Sequence, residues 1–211
     1  MRAGLLLLGS AAALAACTAG KPPASSVPPE VARGQAYYTT CQGCHGNAGE
    51  GFAGMNAPRL AGLPAAYVAE QLILYRKGLR GGPEDFLGVQ MNGRAKALPD
   101  EQAVRDVAAY IATLPAPPQQ PAASPANPAG ADLFVSCVAC HGDKAQGNAA
   151  LGAPPLAGTD AAYLARQLRN YKAGIRGREG DTLGQQMRAA AAVLPDDAAI
   201  DAVAAHAAAL K

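Results

Sequence analysis

The chain has 211 residues, enough for one domain or two small ones, and half of them are hydrophobic, with Ala carrying much of that share. Three Phe, seven Tyr and no Trp leave each half-length domain only a thin core from its own side chains. A formal charge of +2 gives no reason to expect a nucleic-acid partner.

Residues 1–16 read as a signal peptide, with Arg2 as the positive n-region and a short apolar run from Leu5 to Ala16 that is too short to span a membrane comfortably. Leu14-Ala15-Ala16-Cys17 resembles a bacterial lipoprotein cleavage box, which predicts lipid on Cys17; the alternative is ordinary cleavage nearby with Cys17 incidental. Thr18, rather than Asp, then favours the outer membrane. Either route places the protein outside the cytoplasm, in the periplasm. Residues 17–29 form the expected lipid-anchored tether, punctuated by Pro and Ser and without a hydrophobic period.

The first domain, residues 30–114, is expected to open with a helix from Glu30 to Thr40. It leads into Cys41-Gln42-Gly43-Cys44-His45, a C-x-x-C-H pentapeptide. Two thiols at this spacing add across the two vinyl groups of a haem, and the imidazole that follows becomes the proximal iron ligand. A single such motif is also compatible with a zinc half-site or a redox dithiol. The second copy, Cys137-Val138-Ala139-Cys140-His141, decides for haem, and the expected cofactors are two haem c. Four of the five Cys are thereby assigned, and no disulfide pair remains.

Pro58 lies thirteen residues after His45, where its carbonyl can accept a hydrogen bond from the second imidazole nitrogen and fix the tautomer; an ordinary loop Pro is the alternative. A helix is expected from Pro64 to Lys77, with Pro64 in its first turn and Gly78 as its stop. Tyr75 reads as core against the haem, with a propionate contact as the lesser possibility. Arg80, in Gly-x-Arg-Gly, either holds haem propionates or sits in a solvated basic loop. Met91 is the distal ligand candidate, because a thioether is a soft neutral ligand. A last helix is expected from Pro99 to Leu114.

A shift of 96 positions superimposes the chain on itself. From Gly34 to Leu114, 37 of 81 positions are identical without a gap, including Tyr, Gln, Arg, Met and Pro matches that Ala-rich composition does not explain. The second domain, residues 130–211, therefore repeats each candidate: Pro154, Tyr171, Arg176, His141 and Met187, with helices at Gly130 to Ser136, Asp160 to Ala173 and Pro195 to Leu210. Met55 has no counterpart, since Leu151 takes its place. His206 aligns with Tyr110 and reads as a surface or interface residue. Residues 115–129, with six Pro, form a linker that excludes helix and central strand.

The two C-x-x-C-H copies, the Pro after each His, the Tyr-x-x-x-Gln-Leu helix, the Gly-x-Arg-Gly turn, the Met and the Leu-Pro-Asp helix together resemble class I cytochrome c domains. In tandem they are similar to the dihaem cytochrome c4 family. The resemblance implies an all-α fold of two cytochrome c domains, each wrapped around one covalently bound haem with His/Met ligation. It also implies an electron carrier, not an enzyme, working in a bacterial periplasmic respiratory chain. Its donors would be quinol–cytochrome c reductase or a periplasmic dehydrogenase, and its acceptor a terminal oxidase or reductase. The alternative is the haem subunit of a dehydrogenase such as flavocytochrome c sulfide dehydrogenase. A dihaem peroxidase would need one open iron, and a Met in both copies argues against it. Arg166, Arg169, Lys172, Arg176 and Arg178 gather basic charge on one stretch, which is expected either to be a solvated helix face or to steer an acidic partner.

Overall fold

The computed structural model describes residues 27–116 and 128–211. The expected signal peptide, Cys17, the expected tether up to residue 26 and linker residues 117–127 lie outside the described residues. The fold is all-α. The first domain comprises α1 (Pro29–Tyr38), α2 (Gln42–His45), α3 (Ala65–Arg76), α4 (Phe86–Lys96) and α5 (Glu101–Thr113). The second comprises α6 (Pro128–His141), α7 (Ala161–Lys172), α8 (Thr182–Ala192) and α9 (Asp197–Ala209). A 3-10 turn follows each C-x-x-C-H loop, at Ala53–Met55 and Ala149–Leu151.

In each domain the first and last helices cross at a glycine. A Cβ on Gly34 would stand 1.9 Å from the Asp106 carbonyl oxygen, and one on Gly130 would stand 2.2 Å from that of Ala202. No side chain fits there. Around the first crossing pack Tyr38, Val68, Leu98, Val104, Val107 and Ile111; around the second, Phe134, Leu164, Leu194, Ile200 and Val203. A tilted ring pair repeats too. Tyr38 faces Tyr110 at 5.2 Å, and Phe134 faces His206 at 5.5 Å. His206 is half-buried, and its ring joins the α6–α9 contact at the repeat position of Tyr110.

The copies differ where an ion pair replaces apolar packing. Asp106 in α5 is 1% exposed and accepts from Arg33 Nε at 2.6 Å, Arg33 Nη2 at 3.0 Å and Gln102 Nε2 at 2.8 Å. Its counterpart is Ala202, and that of Arg33 is Ala129.

Two helices were not expected, and three others differ in their bounds. α4 and α8 stand where the sequence suggested only a segment carrying Met91 or Met187. Each is opened by an aspartate cap, with Asp85 accepting from the Gly88 amide at 3.0 Å and Asp181 from the Gly184 amide at 2.8 Å. Gly88 and Gly93 weaken the sequence signal for α4. α3 begins at Ala65, with Pro64 as its N-cap and outside the first turn. α6 starts two residues inside the expected linker, on Pro128, and continues through His141. α1 instead stops at Tyr38. Thr39 and Thr40 donate to the carbonyls of Ala36 and Tyr37 at 2.8 and 3.1 Å, and so compete with the helical ladder.

Candidate functional site

Each C-x-x-C-H segment ends at a glycine that turns the chain with positive φ, Gly46 at 82° and Gly142 at 80°. The loop that follows returns to lay a proline carbonyl against the histidine. His45 Nδ1 donates to Pro58 O at 2.8 Å, and His141 Nδ1 to Pro154 O at 3.0 Å. A carbonyl can only accept, so Nδ1 carries the proton and the lone pair is left on Nε2. Both rings are buried, and burial lowers both imidazoles below their ordinary pKa and keeps them neutral.

The two copies open into one continuous cavity of about 580 Å³, lined mostly by apolar side chains. Cys41, Cys44, His45 and Met91 line it from the first domain, and Cys137, Cys140, His141 and Met187 from the second. None of the four cysteines is disulfide-bonded, and burial pushes the Cys41 and Cys137 thiols up. Met91 reaches the cavity from α4 and Met187 from α8. Met55 and Leu151 line the same cavity but are about half exposed.

Arg80 and Arg176 also line the cavity, and they are 4% and 2% exposed. The solvated-loop reading is therefore wrong: the glycine turns after α3 and α7 fold both arginines inward, to the seam between the domains. Arg80 Nη1 donates to Gln71 Oε1 at 2.6 Å, and Arg80 Nη2 to Gln167 Oε1 and the Tyr163 hydroxyl, each at 3.1 Å. Arg176 Nη1 donates to Gln167 Oε1 at 2.7 Å and Arg176 Nη2 to Gln71 Oε1 at 3.0 Å. Each guanidinium stacks on a tyrosine of its own domain, Arg80 over Tyr75 at 4.5 Å and Arg176 over Tyr171 at 4.2 Å. Burial pushes both phenols up to about 12.

Among the described residues neither guanidinium has a carboxylate partner, and both Nε atoms are buried without a hydrogen bond. A buried, permanently charged group in that state calls for an anion from outside the chain. Haem fits this requirement as well as the others. Its carboxylates match the orphaned cations, its apolar macrocycle matches the cavity wall, and its iron and vinyl groups match the imidazole, thioether and thiol set.

Gln71, Gln167 and Tyr163 had no role assigned from the sequence. The available signal was a glutamine repeated in the middle of two otherwise apolar helix faces. The basic stretch on the second domain is engaged internally. Besides Arg176, Arg169 pairs with Asp197 and Asp201, and Lys172 donates to the carbonyls of Leu194 and Pro195. Arg178 pairs with Glu84 at 2.9 Å, and Arg166 donates to the Asn56 side chain and carbonyl at 3.2 Å. It is neither a simple solvated face nor a free steering patch, and Arg166, Arg176 and Arg178 tie the two domains together.

A profile of the family described as Cytochrome c matches the chain twice, over residues 31–115 and 128–211. A protein of Stutzerimonas stutzeri named thiosulfate dehydrogenase electron acceptor is 35% identical over 185 residues, covering 78% of this chain and 82% of that protein. Cytochrome c4 of Azotobacter vinelandii is 30% identical over 187 residues, covering 81% of this chain and 86% of its own. The crystal structure of reduced recombinant cytochrome c4 from Pseudomonas stutzeri superimposes with a TM-score of 0.72 at 30% identity, covering 86% of this chain and 98% of that one.

Proposed function

The chain belongs to the cytochrome c family, as a dihaem electron carrier of the cytochrome c4 kind with two haem c groups, and from that premise we propose that it carries electrons in the bacterial periplasm from a dehydrogenase to a terminal oxidase or reductase. The observation that carries this reading is the donor set the two copies share. Each brings one neutral imidazole, with its lone pair on Nε2, and a thioether at the same repeat position, Met91 or Met187, to the cavity.

Bound haem supplies a one-electron iron couple. Cys41 and Cys44 would hold the first haem by thioethers, and Cys137 and Cys140 the second, while His45 with Met91, and His141 with Met187, would ligate the two irons. Pro58 and Pro154 orient the imidazoles and raise their basicity. Arg80 and Arg176 neutralise propionates at the seam, and Tyr75 and Tyr171 wall the cavity beneath them. An iron ligated by both an imidazole and a thioether would pass electrons and leave no position for a substrate. The protein is an electron-transfer protein and not an enzyme.

The similarity to proteins named thiosulfate dehydrogenase electron acceptor supports a dehydrogenase as donor. The N-terminal signal and Cys17 support export and a lipid anchor, which would hold the carrier at a membrane surface; no described helix is long and apolar enough to cross one. Labelled fatty acid recovered on Cys17 is the outcome expected.

The test of function is the visible spectrum of the reduced holoprotein with and without carbon monoxide. An unchanged spectrum is expected. A shift in half or all of the haem would mean an open iron and overturn the carrier reading.

A further inference from the structure

The helices that bring the two thioethers to the cavity are tied down at both ends in the same way. At the start, Asp85 caps α4 and Asp181 caps α8. Each helix also presses a glycine carbonyl against the turn before it. A Cβ on Gly81 would stand 2.3 Å from Gly88 O, and one on Gly177 2.3 Å from Gly184 O. At the end, a cation from the preceding helix takes up carbonyls at or just beyond the last turn. Arg76 of α3 donates to Ala95 O at 2.8 Å and to Leu98 O. Lys172 of α7 donates to Leu194 O and, at 3.1 Å, to Pro195 O. Helix ends leave such carbonyls unpaired, so both clamps satisfy groups that need a donor.

The middle of the two helices differs. Asn92, next in sequence to Met91, donates from Nδ2 to Tyr75 O at 2.6 Å. Tyr75 lies in the last turn of α3, and its carbonyl otherwise meets only the amides of Lys77 and Gly78. The equivalent carbonyl, Tyr171 O, meets the amides of Ala173 and Gly174 and no side chain among the described residues. At the repeat position of Asn92 stands Arg188. Its guanidinium lies over the turn after α7, 3.1–3.4 Å from where a Cβ on Gly174 would stand.

α4 has a reason to need this extra fixed point. It carries Gly88 and Gly93, whereas α8 has Gly184 and Ala189. Gly93 meets nothing within 4 Å, so packing does not make up for the roughly 1 kcal/mol that a mid-helix glycine costs. The anchor is firm. Tyr75 is buried, and Arg80 stacks on its ring at 4.5 Å. Tyr75 and Met91 both line the cavity, so the bond joins its wall to the residue beside the thioether.

We propose that Asn92 is a positioning residue for the distal ligand of the first haem. By pinning α4 to Tyr75 O one residue from Met91, it fixes the rotation of the helix about its axis and holds the thioether toward the iron. The second copy has no such pin. The proposal rests on Met91 and Met187 as the distal ligands.

The test uses imidazole as a competing ligand on the ferric holoprotein. The iron–sulfur bond breaks with its electron pair kept by sulfur, and an iron–nitrogen bond forms with the lone pair of the imidazole. No electron is transferred. The readout is the sulfur-to-iron charge-transfer band. A Met187→Ala background leaves only the first site's band, and a Met91→Ala background only the second's. A thioether held less firmly is open for a larger fraction of the time, and imidazole then binds more tightly in proportion. Asn92→Ala is expected to tighten binding at the first site about fivefold, the size of one ordinary hydrogen bond, and to leave the second site as it was. Arg188→Asn places a donor before Tyr171 O and should weaken binding at the second site severalfold. Asp106→Asn weakens the first domain at a different helix contact and should leave its imidazole affinity unchanged.

An unchanged first site in Asn92→Ala overturns the proposal. So does an equal tightening by Asp106→Asn, which would make the effect one of general stability, or an unchanged second site in Arg188→Asn. Each of these results keeps the wild-type band and leaves methionine ligation standing. A wild type without the band, or one whose band is undiminished by Met91→Ala, overturns the ligand assignment and the proposal together.

Discussion

Arg80 of the first domain and Gln167 of the second are joined by a hydrogen bond of 3.1 Å, and Arg176 returns the contact to Gln71 at 3.0 Å. Two buried guanidinium groups thus share two amide oxygens. Like charges this close oppose docking unless anions sit among them. Replacing Arg80 with Met in the holoprotein should lower the potential of the nearby haem by tens of millivolts, since a lost positive charge favours the ferric state. It should also loosen the seam. Potentiometric titration and small-angle scattering check the two effects, and an unchanged potential would remove Arg80 from the cofactor's surroundings.

Met91→Ala and Met187→Ala should each open one iron only. Carbon monoxide should then shift half of the haem absorbance in either variant and all of it in the double variant. The potential of the altered site should fall as the thioether is lost. Met55→Ala should do neither, because Met55 is half exposed at the cavity mouth and has Leu151 in its place in the second copy.

Glycines of the same helical type separate packing from propensity. Gly34→Ala drives a methyl into the Asp106 carbonyl and should cost about 2–3 kcal/mol as the helices are forced apart. Gly93 in α4 meets nothing within 4 Å, and Gly93→Ala should stabilise by up to about 1 kcal/mol. Thermal unfolding of the two variants should move in opposite directions.

The ion pair at the first helix crossing sets an acid limit. Arg33, foremost, holds the Asp106 carboxyl below its ordinary value, with Gln102 assisting against the cost of burial. A depressed folded-state pKa adds stability above the unfolded value of about 3.9, and that stability disappears as pH falls through the folded value. Asp106→Asn should therefore be less stable than wild type at pH 7, with the gap closing below about pH 4. Denaturant midpoints across pH 3–7 measure this. The second domain has Ala202 at this position and carries no such dependence there.

The cofactor chemistry was legible because it is local. C-x-x-C-H and the proline thirteen residues on are short-range patterns, and the 96-residue shift duplicated each of them. Met91 and Met187 were found by their agreement across the copies and not by helix periodicity, since the glycines of α4 hide its helix and the Asp85 cap is a weak mark. The seam was not legible. The repeat says that two domains exist but not which faces meet, and one arginine looks much like another until burial distinguishes Arg176 from Arg169. Gln71 and Gln167 needed the partner domain to give them a reason.

The reciprocal pattern at the seam, Arg80 to Gln167 and Arg176 to Gln71, has the form of an isologous contact, in which one patch meets a second copy of itself. Such a face works in a homodimer before it works within one chain. Fusion through a proline-rich linker makes assembly independent of protein concentration. It also lets the two halves change separately, so that one half can carry Asn92 beside Met91 while the other carries Arg188 beside Met187.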